Sequence, residues 1–230
     1  MRERIIYATI VISQIIEANQ IAFLVHIATA VMLVLGVTGG ICSGKSTVAR
    51  ILQENGATII DADKLGHKTY ERGTPCYTKL VEHFGDSIID DQGEINRRLL
   101  GSIVFSSPDK MQELQNIVWP EIRHLIVSSL KELEAQDVKV VVLEAAVMIE
   151  AGWQDLVSTL WVISVNKDVA LKRLMTRNSL SESDSLNRIN AQISNEERCG
   201  FANLVIDNSD DDSMQAFEDK VKSAYRTLLM

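Results

Sequence analysis

Apolar positions along the chain gather into short continuous runs, separated by longer stretches with helical spacing. Met32 to Val37 (MLVLGV), Val138 to Leu143 (VKVVVL), Leu160 to Val165 (LWVISV) and the shorter Leu204 to Asp207 (LVID) are rich in β-branched residues and of strand length. Thr58 to Asp63 (TIIDAD) reads as another short strand, ending in two acids. Such runs, continuous rather than alternating, belong to strands buried on both faces of a parallel sheet. Between them, Thr47 to Glu54 places Val48, Ile51 and Leu52 on one helical face. Residues 65–135 read as mostly helical, punctuated by Gly73-Thr74-Pro75, Gly85, Asp90-Asp91-Gln92-Gly93 and Ser106-Ser107-Pro108. Asp168 to Arg177 and Ser213 to Leu229 read as two further helices. Strands alternating with helices predict an α/β fold with a parallel sheet and right-handed crossovers. Ligands in such folds bind beyond the carboxyl ends of the strands.

The first 31 residues stand apart. Ile5 to Ile16 and Ile21 to Met32 are strongly apolar, but Glu17, Asn19 and Gln20 separate them and His26 interrupts the second. Neither piece reaches the roughly 20 residues of a spanning helix. No A-x-A-like cleavage site follows, and the segment lacks the Arg- and Ser-rich composition of a transit peptide. Residues 1–31 are therefore an extension with three open readings: a membrane anchor, a helix packed on the domain, or a non-native gene start. The remainder, 32–230, is expected to be one catalytic unit.

The sharpest motif is Gly39-Gly40-Ile41-Cys42-Ser43-Gly44-Lys45-Ser46. It fits G-x-x-x-x-G-K-[ST], lies between a predicted strand and a predicted helix, and continues into Thr47. Glycines let the backbone curl close to a ligand, and the N–H groups at the helix start hold phosphate oxygens. Lys45 is placed to reach the β- and γ-phosphates of a nucleotide such as ATP, and the Ser46 hydroxyl to bind Mg²⁺. An ordinary glycine turn is the plain alternative, but it does not require Gly-Lys-Ser at this offset. The motif implies nucleotide binding without choosing among kinase, GTPase and motor.

Acids and arginines narrow the chemistry. Asp63 and Asp61 follow a strand end, and alternation along that strand puts both on one face. Either could accept a hydroxyl proton during phosphoryl transfer, or cap the next helix. Glu144 and Glu150 follow the VKVVVL strand; one could polarise a Mg²⁺-bound water, and Glu144 could equally be a helix-start acid. Arg173 and Arg177 lie four apart on one helical face, and Arg188 and Arg198 follow in a polar stretch that could form a lid. His67 and His83 show no metal-ligand spacing, and His67, four residues after Asp63, could face a substrate cleft. Trp119, Trp153 and Trp161 read as core or cleft wall. The formal net charge of −8 argues against a nucleic-acid binder resting on broad positive charge, so a phosphorylated ligand needs local cations. Cys42, Cys76 and Cys199 have no paired spacing, which points to a reducing, intracellular compartment. Cys42 lies near a helix start and Lys45, where a thiol can be activated, although a small tolerated residue is the plainer reading.

Taken in order, LGVTGGICSGKSTVA, GATIIDADKLGH, FGDSIIDDQGEINRRLLGSIVF, WPEI, LMTRNSLSESDSLNRINAQIS and VIDNS resemble the dephospho-coenzyme A kinase family from Leu33 to near the C-terminus. The run LEAAVMIEAGW and the Trp119-Pro120 pair look like the kinase domain of the eukaryotic bifunctional coenzyme A synthase, whereas the lid run looks like the single-function form. The resemblance implies a P-loop kinase fold: a five-stranded parallel sheet flanked by helices, a helical substrate region at about 64–136 and a lid at about 177–200. It implies phosphorylation of the ribose 3′-hydroxyl of dephospho-coenzyme A by ATP with Mg²⁺, in a cytoplasmic or mitochondria-associated setting. By matching position, Asp63 becomes the general base, Lys45 and Ser46 the phosphate and metal residues, and Arg177 a lid arginine on ATP phosphates. Asn208 falls on the adenine-side loop, and Arg97 becomes a candidate for the acceptor's phosphates. Cys42 replaces a commoner small residue, and Asp210 stands where a glycine usually follows VIDNS.

Two rival readings remain at this stage: another small-molecule P-loop kinase, and a nucleotide-dependent regulatory module. Asp63-Lys64-Leu65-Gly66 spells D-x-x-G, but it comes too soon after the loop for a γ-phosphate sensor. Asn166-Lys167-Asp168 is one residue short of a guanine-reading N-K-x-D.

Overall fold

The computed structural model describes residues 32–209 and 213–230. The N-terminal extension and Asp210 lie outside the described residues, so the readings made on them stay untouched. Strand β1 (Leu33–Gly39) leads into helix α1 (Lys45–Glu54), β2 (Thr58–Asp61) and α2 (Ala62–Thr69). A helical region follows: α3 (Pro75–Phe84), α4 (Arg97–Val104) and the long α5 (Pro108–Ala135). The chain then returns through β3 (Val140–Glu144), β4 (Thr159–Ser164), α6 (Lys167–Asn178), α7 (Glu182–Asn190), the short α8 (Asn195–Cys199), β5 (Leu204–Asp207) and α9 (Met214–Leu228).

The five strands form one sheet in the order β2-β3-β1-β4-β5, and every pairing is parallel. β1 is central, with Leu33 opposite Val140 on one side and Leu35 opposite Thr159 on the other. Alternation within the runs explains why they are apolar throughout. Val34, Val141, Leu143, Leu160 and Val162 face a core shared with Leu80, Leu100, Ile122 and Ile126 of the helical region. Their neighbours Leu35, Val37, Val142, Trp161 and Ile163 face the opposite core, closed by Val48, Ile51 and Leu52 of α1 and Phe217, Val221 and Tyr225 of α9. Both faces of the sheet are thus covered, as parallel sheets require. Trp153 and Trp161 are buried, and Trp119 packs partly buried against the first core, so all three serve packing.

Two sequence expectations change at the element ends. Helix α1 begins at Lys45, two residues before the predicted start, because left-handed Gly44 (φ 100°) serves as its cap. The second strand stops at Asp61 instead of reaching Asp63. Asp61 accepts a hydrogen bond from the Lys64 backbone N–H at 3.0 Å and starts α2. Asp61 and Asp63 therefore do not share a strand face: the first caps the helix and the second sits in its first turn. Among the described residues no helix is long and apolar enough to cross a membrane.

Candidate active site

The carboxyl end of β1 delivers the glycine loop to the middle of the sheet. Gly39 has no room for a side chain, since a Cβ there would lie 2.4 Å from the Ile163 carbonyl oxygen of β4. The loop closes with Ser43 N–H donating to the Gly40 carbonyl at 3.2 Å, and α1 takes over with Val48 N–H donating to Gly44 at 3.0 Å. Cys42 takes a left-handed conformation (φ 58°) within it, unusual for a residue with a side chain. Two outside residues hold the loop in place: Asn208 Nδ2 donates to the Ser43 carbonyl at 2.8 Å, and Arg173 Nη1 to the Cys42 carbonyl at 3.4 Å. Asn208 follows β5 and Arg173 lies on α6, so two separate segments of the chain's second half meet at the loop.

Lys45 reaches back over the loop, its Nζ 3.5 Å from the Gly40 carbonyl oxygen. Burial lowers its pKa, while Glu144 and Asp63 oppose that shift. Ser46 Oγ donates to Glu144 Oε1 at 2.8 Å, joining the first turn of α1 to the end of β3. Glu144 is buried, which raises its pKa, and the Ser46 hydrogen bond and Lys45 work the other way. Asp63 is exposed in the first turn of α2, close to Lys45 and to the Ala146 backbone N–H. Desolvation raises its pKa, with Lys45, the Ala146 backbone N–H and His67 pulling it down and Asp61 adding to the rise. An ammonium, the buried Glu144 carboxyl and the more exposed Asp63 carboxyl, gathered beside a phosphate loop, are suited to moving a proton and a phosphoryl group.

A cavity of about 700 Å³ runs from Cys42–Thr47 along α6, past Lys172, Arg173, Thr176 and Arg177, to Asn208, Met214 and Phe217. Arg173 and Arg177 thus share a cavity wall, as their spacing suggested. Met214 and Phe217 were not anticipated. Three apart at the start of α9, they give the far end of the cavity an apolar side next to Asn208, and only their spacing in a polar segment could have signalled it. On the opposite side, Arg97 Nη2 donates to the His67 carbonyl at 3.3 Å and its guanidinium lies over the Tyr70 ring at 5.3 Å. The structure therefore brings His67 and Arg97 together beside α2 through the His67 backbone. Glu150 is not at the metal-facing position offered for it: its Oε1 lies 3.6 Å from Arg198 Nη2. Gln192 and Asn195 were missed altogether. Gln192 Oε1 accepts the Ile41 N–H at 2.8 Å, and Asn195 Nδ2 donates to the Val165 carbonyl.

Comparison with known proteins agrees with this geometry. The family model described as dephospho-CoA kinase matches residues 33–213. A dephospho-CoA kinase of Carboxydothermus hydrogenoformans is 43% identical over 179 residues, covering 78% of this chain and 87% of the relative. One from Oryza sativa subsp. japonica is 35% identical over 199 residues, covering 86% of each. Among solved structures, a Thermus thermophilus protein superposes with a TM-score of 0.74 at 30% identity, over 86% of this chain and 98% of that one. The dephospho-CoA kinase from Campylobacter jejuni gives 0.64 at 28% identity, over 85% and 96%. These matches favour the kinase over the regulatory-module reading. The phosphate loop, the cleft acids and the cationic cavity wall are set in a chain that belongs to the dephospho-CoA kinase family.

Proposed function

We propose that this chain phosphorylates the ribose 3′-hydroxyl of dephospho-coenzyme A with ATP, and that Asp63 is the base. The observation carrying this reading is the position of Asp63: it is exposed in the first turn of α2, close enough to Lys45 for each to shift the other's pKa. An acceptor hydroxyl bound at Asp63 gives up its proton to that carboxylate as its oxygen attacks the γ-phosphorus. The bond from that phosphorus to the β–γ bridging oxygen breaks, and ADP leaves with the electron pair. Lys45 and the loop N–H groups fix the phosphates, and Arg173 and Arg177 offset the charge moving toward ADP. Asn208, Met214 and Phe217 form the base end of the ATP site. His67 and Arg97, beside α2, are on the acceptor side, where the Arg97 guanidinium suits the acceptor's diphosphate.

The residues present fit a magnesium ion. The Ser46 hydroxyl and the Glu144 carboxylate already meet, and hard oxygen donors of this kind suit Mg²⁺. Ser46 would ligate the ion and Glu144 would hold its water. When bound, the ion neutralises phosphate charge.

The test is ATP-dependent conversion of dephospho-coenzyme A to coenzyme A by the full chain. Asp63→Asn should lower turnover by about a hundredfold or more, within the usual range for a positioned base. Turnover of the parent chain with some other alcohol but not this one would overturn the acceptor. A variant as fast as the parent would remove Asp63 from the base role.

A further inference from the structure

Arg198 stands out among the charged residues of the polar stretch after α6. Its side chain is 1% exposed, as buried as any core leucine. Its partners are poor. Glu150 Oε1 is 3.6 Å away, outside hydrogen-bond range, and Asn195 Oδ1 is 3.5 Å from Nη1. Among the described residues, Nε and Nη2 have no hydrogen-bond partner, and neither does Glu150 Oε2. A buried cation with unspent donors is costly, and apolar packing of the same volume would serve a purely structural role as well.

The guanidinium is held toward the phosphate loop. Its Nη1 lies 3.4 Å from the place a Gly40 Cβ would occupy, and Lys45 Nζ lies 3.5 Å from the Gly40 carbonyl oxygen. Two cations thus bracket one glycine, and Arg198 is close enough to depress the Lys45 pKa. Two cations this close disfavour each other's charged form, and an anion bound beside both would favour it. The segment carrying Arg198 is docked and not free: Gln192 takes the Ile41 N–H, and Asn195 reaches the Val165 carbonyl. Lysines in loops of this kind reach the β- and γ-phosphates, so a second cation beside Lys45 and Gly40 is at the γ end.

We propose that Arg198 is a γ-phosphate ligand, kept in reserve against Glu150 until the triphosphate draws its guanidinium, from the Nη1 side that already faces Gly40, onto the loop. The inference rests on the nucleotide-binding part of the reading above and needs nothing from the acceptor. From a separate cavity that it lines with Gly40, Ile41, Gln192 and Asn195, Arg198 then senses whether the terminal phosphate is present, whereas Arg173 and Arg177 line the cavity along the rest of the nucleotide.

The experiment measures MgATP and MgADP affinity of the full chain by calorimetry, for the parent, Arg198→Lys and the double variant Arg198→Met/Glu150→Gln. The double variant removes both charges and so avoids stranding a buried carboxylate. It should lose about tenfold or more of its ATP affinity while ADP binding stays within about twofold, since a charge-assisted contact of this kind exists only with ATP. Arg198→Lys should recover part of the ATP preference. An unchanged ATP-to-ADP ratio in the double variant, or equal losses for both nucleotides, would overturn the proposal and make Arg198 a structural tie. Because no acceptor is present, failure of the dephospho-coenzyme A assay would leave this result readable and would count against the acceptor alone.

Discussion

Asp63 shows how one residue's surroundings set its chemistry. A neighbour two positions away, Asp61, is consumed by capping and by an ion pair to Lys64 at 3.0 Å, whereas Asp63 lies close to Lys45. Desolvation raises the Asp63 pKa in the free protein. A carboxyl with a raised folded pKa lowers stability at every pH above its unfolded value, and the cost vanishes below that value, where both states are protonated. Asp63→Asn should therefore melt at a higher temperature than the parent at pH 7. The gap should close as pH falls toward the ordinary aspartate value of 3.8. Melting curves across that range check the sign; a variant less stable than its parent at neutral pH would contradict it. Glu144, shifted the same way but tied to Ser46, illustrates the same tension between a site's chemistry and its fold.

At the scale of the element, helix α6 serves two masters with two faces. Ala170 and Leu174 are buried against the body of the protein, while Arg173, Thr176 and Arg177 line the cavity. Among the described residues Arg177 is bonded only within its own helix end, Nε to Asn178 Oδ1 at 2.9 Å, so its guanidinium can turn to a ligand. Arg177→Ala should lower turnover more than it weakens ATP binding, since charge on the leaving group peaks in the transition state. Steady-state kinetics set beside direct nucleotide titration would separate the two, and a pure affinity loss would reduce Arg177 to a ground-state contact.

Elements were also where the sequence was most and least legible. The runs at β1, β3 and β4 declare themselves because both sheet faces are buried there, so their central positions are apolar, whereas edge strand β5 leaves Val205 exposed. The loop was legible because its chemistry depends on backbone spacing, which sequence records directly. The start of α2 was not: TIIDAD reads as one strand, and only the capping geometry of Asp61 divides it. The docked stretch 192–198 was hidden for another reason. Ser, Asn and Glu around Arg198 look solvated, and the burial of a charged side chain depends on partners far away in the chain, here Gly40 and Glu150. Met214 and Phe217 escaped notice likewise, since their role depends on where α9 begins relative to Asn208.

For the whole molecule, the family model matches residues 33–213, and we propose that 32–230 is the kinase unit. A chain starting at residue 32 should keep its turnover within about twofold, as expected of a domain with its own core. Activity measured on both chains decides this, and a large loss would make residues 1–31 part of the machinery. The sheet order carries a last consequence. β1 is the first strand of the unit to be made, yet its two neighbours begin only at Val140 and Thr159. A nascent chain leaving the ribosome carries a complete G-x-x-x-x-G-K-S loop with no sheet to brace it until β3 and β4 have emerged, and Asn208 reaches the loop later still. Pairing across such separations is slow to form and leaves apolar edges uncovered meanwhile. Nucleotide cannot act as a folding template for the first half of this protein; it can only reward a chain that is almost finished.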